Sequence, residues 1–234
     1  MSVAEPDEAG THDGLAFALY RGEPGAGGVV ILHGAGSSKE SHLDFARACQ
    51  AHGLGAVAFD QRGHGATGGQ LDGRMVDDVA TIASLLGDEA IGLRGSSMGG
   101  WLALAAAESA NAQAVVAICP ASGDGMIRAL RARAHAAEGR GSGFDLDADQ
   151  DAVIEAIEAH DADAAATRLG ERLLLLHAEG DEVVPVERSQ ALHAAAPGSR
   201  LVAVPGGHHR SVQHDPELQA LTLRFLGKRL SAGR

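Results

Sequence analysis

The stretch Ala90-Ile91-Gly92-Leu93-Arg94-Gly95-Ser96-Ser97-Met98-Gly99-Gly100-Trp101 decides how this chain is read. It joins a short apolar run, residues 90–93, to a run of strong helix formers, residues 98–109. Between them stands a G-x-S-x-G centred on Ser97. Alone, the pentapeptide says little in a chain with 32 glycines. Placed after a strand and at the opening of a helix, it acquires a mechanical meaning. Such a turn holds its central residue in a strained backbone conformation, and only small neighbours avoid a clash there. Gly95, Gly99 and Gly100 supply that room. The turn also aims the Ser97 hydroxyl at the N-terminal end of the helix, where the dipole favours developing negative charge. Ser96 is the local competitor, but its frame lacks the paired glycines. The alternative is an ordinary Gly/Ser strand–helix turn.

Outward from this point, short apolar runs alternate with longer amphipathic ones. Leu15–Tyr20 and residues 29–32, 56–59, 90–93, 115–118, 173–176 and 201–204 read as strands. Residues 41–52, 75–86, 98–109, 186–196 and 216–230 read as helices. The strands are continuous apolar runs, as expected when helices cover both sheet faces. The expectation is an open, doubly wound, mostly parallel α/β sheet with its site at the carboxyl ends of the strands. One segment breaks the rhythm. Residues 119–172 carry no strand signal but two helix candidates, 126–137 and 150–160, around a loop at 139–143. A single domain over 1–234 is expected, with 124–169 as a small helical cap insertion over the site or as a solvated decoration.

Composition excludes other classes. Lys+Arg total 19 against 31 Asp+Glu, so the formal charge is −12. That disfavours a nucleic-acid binder, which needs a basic face. Two cysteines, Cys49 and Cys119, cannot form a disulfide framework and read as buried thiols. Residues 1–14 contain no apolar h-region, and no apolar run approaches the roughly 20 residues of a membrane span. A cytoplasmic protein with no membrane partner is expected, either monomer or homodimer. Much of the acidity falls between Asp145 and Asp163, which would disfavour anionic substrates if that segment covers the site.

A serine hydroxyl is a weak nucleophile until a base takes its proton. Two of the twelve histidines, His208 and His209, follow the final strand. The acid should lie between serine and histidine in chain order. Asp181 stands in the loop after residues 173–176, where it could hold an imidazole tautomer. Glu182 is its neighbour and competitor; Asp60, after another strand, is a remoter one. His208, His209, His214 and Asp215 cluster in sequence, but no H-x-x-x-H helix pattern or cysteine pair supports a metal. No metal and no cofactor are expected. Gly34 and Gly36 lack the Gly-Lys-Ser/Thr of a phosphate loop.

Five motifs in order resemble the α/β-hydrolase superfamily over nearly the whole chain. They are His33-Gly34-Ala35-Gly36, Phe59-Asp60-Gln61-Arg62-Gly63-His64-Gly65, the elbow at Gly95–Gly99, the loop His177–Pro185 with Ala178 in place of a usual glycine, and Gly206-Gly207-His208-His209. The resemblance implies an eight-stranded sheet, of which the first strand or so looks absent here. Its G-x-x-H spacing puts the base at His209, with His208 as the alternative. It further implies an oxyanion hole from the backbone N–H groups of Met98 and Ala35. His33 and His64 match loop positions whose imidazoles are structural. The implied activity is serine hydrolysis of carboxylic esters, short to medium acyl or aryl, as in small esterases of the feruloyl-esterase-like or serine aminopeptidase-like branch. Thioesterase, peptidase or carbon–carbon hydrolase activity on the same residues is the alternative, or a non-catalytic ligand-binding protein. The serine argues against the dehalogenase and dienelactone-hydrolase cousins, which use Asp and Cys.

Overall fold

The computed structural model describes residues 4–137 and 148–231. Among them the chain forms one sheet of eight strands: β1 (Glu8–His12), β2 (Leu15–Tyr20), β3 (Gly28–Leu32), β4 (Gly55–Phe59), β5 (Ile91–Ser96), β6 (Ala114–Ile118), β7 (Leu173–Ala178) and β8 (Arg200–Val204). The order across the sheet is β1-β2-β4-β3-β5-β6-β7-β8. β1 and β2 are antiparallel to their neighbours, and every later pairing is parallel. The doubly wound, mostly parallel sheet expected from the alternation is therefore present.

The inner strands are buried along their whole length, and this is why they read as unbroken apolar runs. Successive side chains still part to opposite faces. Val30 and Leu32 of β3 join one core with Val79, Ile82, Trp101 and Leu175. Val29 and Ile31 join the other, with Phe45, Cys49, Leu174 and Leu226. The helices α1 (Leu43–Ala51) and α9 (Pro216–Ser231) cover the second face. The first is covered by α2 (Asp77–Ala83), α3 (Met98–Ala105), α6 (Ala162–Leu169) and α7 (Glu187–Ala195). Both cysteines are buried and free, and burial pushes each thiol up to about 12.

One expectation fails at the sheet edge. The first strand is not absent: Glu8–His12 pairs antiparallel with β2, from Glu8 opposite Leu19 to His12 opposite Leu15. Its residues, EAGTH, are almost all exposed, so it carries no apolar signature. Charge and brevity are how edge strands commonly avoid pairing with other chains.

Between β6 and β7 lie α4 (Gly123–Ala137), α5 (Gln150–Ala159) and α6. The expected loop at 139–143 lies outside the described residues. α5 and α6 begin at side-chain caps: Asp149 accepts from the Ala152 N–H, and Asp161 from the Asp163 and Ala164 N–H groups. A short helix, α8 (Ser211–His214), follows β8. No helix among the described residues is long and apolar enough to cross a membrane.

Candidate active site

Ser97 is the residue between β5 and α3, with φ +56° and ψ −119°. A non-glycine residue there is strained by of order 1–3 kcal/mol and persists only where its surroundings hold it. Here the Ser97 N–H donates to the Ile118 carbonyl at 2.9 Å, and the Ser97 carbonyl accepts from Ala121 N–H at 3.0 Å. The neighbouring strand end thus clasps the elbow from both sides. The glycines do what their positions suggest. A Cβ on Gly95 would fall on the Gly99 carbonyl, and one on Gly99 on the Leu32 carbonyl and, at 2.5 Å, on that of His33. All of these are backbone atoms, which cannot swing away. Gly99→Ala is expected to lower stability by about 3 kcal/mol or more, roughly 6–12 °C in Tm for a chain of this size. A thermal melt within 2 °C of the parent would contradict that contact.

Asp181 follows β7 in a tight turn. Its Oδ1 accepts the Val183 and Val184 N–H groups, both at 2.8 Å, and its Oδ2 faces His209 Nδ1 at 2.7 Å. The Asp181 side chain is fully buried. Burial alone would raise its pKa, but the bonds from Val184 N–H, His209 and Val183 N–H outweigh it and hold the carboxyl below its usual range. Because a carboxylate only accepts, His209 must carry a proton on Nδ1, which leaves Nε2 free to take another. Beneath it, His177 is locked as a neutral Nε2–H tautomer: Nε2 donates to the Val184 carbonyl at 2.8 Å and Nδ1 accepts from Ser189 Oγ at 2.7 Å. Burial lowers its pKa.

The competing residues are placed elsewhere. His208 is exposed, and its Nδ1 accepts from the Arg210 N–H at 3.3 Å. Glu182 accepts the His209 backbone N–H at 3.2 Å and does not meet the ring. Asp60 is spoken for: its carboxylate accepts from Lys39 N–H (2.7 Å), Lys39 Nζ (2.8 Å) and Ala66 N–H (2.8 Å). Gly65, at φ +47°, lets the chain pass against that carboxylate. The clustered His214 and Asp215 are also dispersed: His214 faces Asp44 at 3.5 Å, and Asp215 caps α9 by accepting Glu217 N–H at 2.9 Å. Cys119, His177 and Asp181 do bring ligand atoms within 4.8 Å of one another. Both His177 nitrogens are already used, however, and the buried Cys119 thiol resists ionisation.

Ala35 follows β3 in a turn closed by Ser37 N–H on the Gly34 carbonyl. The turn is anchored by His33, whose Nδ1 donates to the Gly34 carbonyl (2.8 Å) while Nε2 accepts from Gln61 N–H (3.1 Å). Burial drives the His33 pKa down to about 4, so this imidazole is a neutral strut. Among the described residues, neither Ala35 N–H nor Met98 N–H has a protein acceptor. Ser97 and Ala35 line two cavities. The smaller, about 50 Å³, also holds His209, Arg210 and Gln213. The larger, about 440 Å³, holds Met98 and is walled by α4 and α5 through Met126, Arg128, Leu130, Val153 and Ile157.

The insertion therefore contributes to the cavity, but among the described residues not through its acids. Asp149 and Asp161 cap helices, Asp163 pairs with Arg188, and Asp151, Glu155 and Glu158 face solvent. Asp145 and Asp147 lie outside the described residues. The charged wall residue is Arg128, so the expected bias against anions does not follow from these walls.

Arg94 went unnoticed in the sequence. It is 1% exposed in β5, donates to the Gln213 carbonyl at 2.8 Å, lies 4.0 Å from the Phe45 ring centre and meets His42 Nδ1 at 3.4 Å. It thereby ties the strand that presents Ser97 to the helix just after His209. An arginine inside an apolar strand was the available signal. His42 is buried as well, and burial with Arg94 beside it lowers its pKa to about 3.

Comparison with known proteins agrees with this fold. Residues 28–154 match the model of the alpha/beta hydrolase fold family, and residues 123–228 match that of TAP-like proteins. Among solved structures, the monoacylglycerol lipase of Paleococcus ferrophilus is 23% identical, with a TM-score of 0.70 over 94% of this chain and 99% of that one. The ferulic-acid-bound Est1E of Butyrivibrio proteoclasticus is 18% identical, with a TM-score of 0.66 over 94% and 96%. The alpha/beta hydrolase GrgF of Penicillium sp. sh18 is 17% identical, with a TM-score of 0.73 over 98% and 100%. A family match over more than half of the sequence, on a sheet of this order with a strained serine at its centre, makes this chain a member of the alpha/beta hydrolase fold family.

Proposed function

We propose that this protein is a serine hydrolase that cleaves carboxylic esters through an acyl-enzyme. The observation that carries the reading is the His209–Asp181 contact of 2.7 Å beside a serine held at φ +56° on the wall of the same cavity. Ser97 attacks the ester carbonyl while His209 Nε2 takes its proton. The tetrahedral oxyanion forms against the Met98 and Ala35 N–H groups, each contributing a few kcal/mol of transition-state stabilisation. His209 returns the proton to the leaving alkoxide. Water, deprotonated by the same imidazole, then releases the acid. Asp181 holds the Nδ1–H tautomer and stabilises the imidazolium. Residues 124–169 act as a small cap, because α4 and α5 supply much of the larger wall. That wall is mostly apolar and suits short to medium acyl chains.

The test is direct. Hydrolysis of p-nitrophenyl acetate and butyrate is expected, with a fluorophosphonate forming one covalent adduct that peptide mapping places on Ser97. An adduct on Ser96, or turnover with no adduct at all, would overturn the nucleophile assignment.

A further inference from the structure

The chain carries a formal charge of −12, yet among the described residues the walls of the two cavities that meet at Ser97 hold no carboxylate. The arginines among those described lining residues are Arg128 in the larger cavity and Arg210 in the smaller. Arg128 stands on α4, in a wall whose other members are mostly apolar. Other arginines near the insertion are paired, Arg168 with Glu108 and Arg188 with Asp163. Arg128 has no ion-pair partner among the described residues. The described acids of its own segment cap helices, pair elsewhere or face solvent. A lone guanidinium offers a planar fork that fits a carboxylate with two parallel hydrogen bonds. A phosphate dianion would call for more donors than this wall provides.

Resting on the ester-hydrolase reading, we infer that the substrate carries a carboxylate on the portion that fills the larger cavity, and that Arg128 receives it. The smaller cavity is about 50 Å³ against about 440 Å³ for the larger, so the larger is the one with room for a six-carbon chain. Arg128 then selects substrates, while Ser97 and His209 act on the ester bond at the other end.

The experiment compares p-nitrophenyl hydrogen adipate with p-nitrophenyl hexanoate, two esters of equal chain length that differ in the distal carboxylate. It uses the wild type, Arg128→Gln, Arg128→Lys and Arg210→Gln. The wild type should favour the adipate in kcat/KM by about two- to fivefold, as expected for an ion pair at an exposed arginine. Arg128→Gln should erase that ratio and Arg128→Lys should keep part of it. Arg210→Gln should preserve the ratio whatever it does to the rates. Raising the salt from 50 mM to 500 mM should shrink the preference, since Arg128 is exposed. A ratio unmoved by Arg128→Gln, or lost equally in Arg210→Gln, overturns the inference. If the wild type cleaves neither ester and takes no fluorophosphonate, the hydrolase reading itself has failed. Calorimetric titration with adipate then decides the carboxylate site separately. Binding that is lost in Arg128→Gln upholds it; no binding, or equal binding, overturns it.

Discussion

Ser97→Ala and His209→Ala should each lower kcat for p-nitrophenyl butyrate by roughly four to six orders of magnitude, and the double variant should lose little more. The non-additivity is the informative part. A serine without a base, or a base without a serine, fails at the same step, so removing the second partner removes nothing that still functions. The geometry makes the choice of histidine testable as well. His209 meets Asp181, whereas the His208 ring accepts from a backbone amide two residues on. His208→Ala should therefore retain activity within about tenfold. Asp181→Asn keeps the shape but can donate where the carboxylate only accepted. It should turn the imidazole to the wrong tautomer and cost roughly 10⁴ in kcat. A severe His208→Ala beside a mild His209→Ala would reverse the assignment of the base.

The second large effect is on stability in acid. His33 and His42 are buried and neutral, with pKa values pushed by burial to about 4 and about 3. In the unfolded chain both titrate near 6.5. Below that value the unfolded state binds protons that the native state does not, so stability falls as pH falls. Each imidazole contributes a slope of about 1.4 kcal/mol per pH unit. Together they remove roughly 6 kcal/mol between pH 6.5 and pH 4, comparable to the whole stability of many domains. Urea unfolding at half-unit steps from pH 7 to pH 4.5 should show this decline, and His42→Gln should lower the slope by up to about 1.4 kcal/mol per pH unit, the share of one imidazole. A flat profile would mean that these imidazoles are charged in the native state.

Much of the fold was legible because the inner strands are buried on both faces. Val29, Val30, Ile31 and Leu32 leave no polar alternation to confuse the reading. β1 was missed for the opposite reason: it is exposed and held by backbone bonds to β2, which any sequence can make. The helices α6 and α8 are only eight and four residues long, too few turns for a repeat to be read from the sequence alone. At the site, Ser97, Asp181 and His209 could be named because each follows a strand. Asp60 could be set aside only once Lys39, 21 positions away, was seen to hold its carboxylate. Arg94 and Arg128 depend on packing between distant segments, and the local sequence records neither relation. The acidity of the insertion leaves its placement open for the same reason, since composition does not say which face of a helix a carboxylate occupies.

The clasp at Ala121, described above for its grip on Ser97, also marks where the sheet ends and the insertion departs. Two tasks are thereby divided between different parts of the chain. The geometry of Ser97 is set by strand ends and by glycine contacts with backbone, neither of which tolerates revision. Much of the larger cavity's wall comes from α4 and α5, which hang beyond that anchor. Substrate range can thus be redrawn by exchanging residues in those two helices while the reacting groups stay as they are. For anyone wishing to redirect the proposed hydrolase, the insertion is the part to randomise, beginning beyond Ala121.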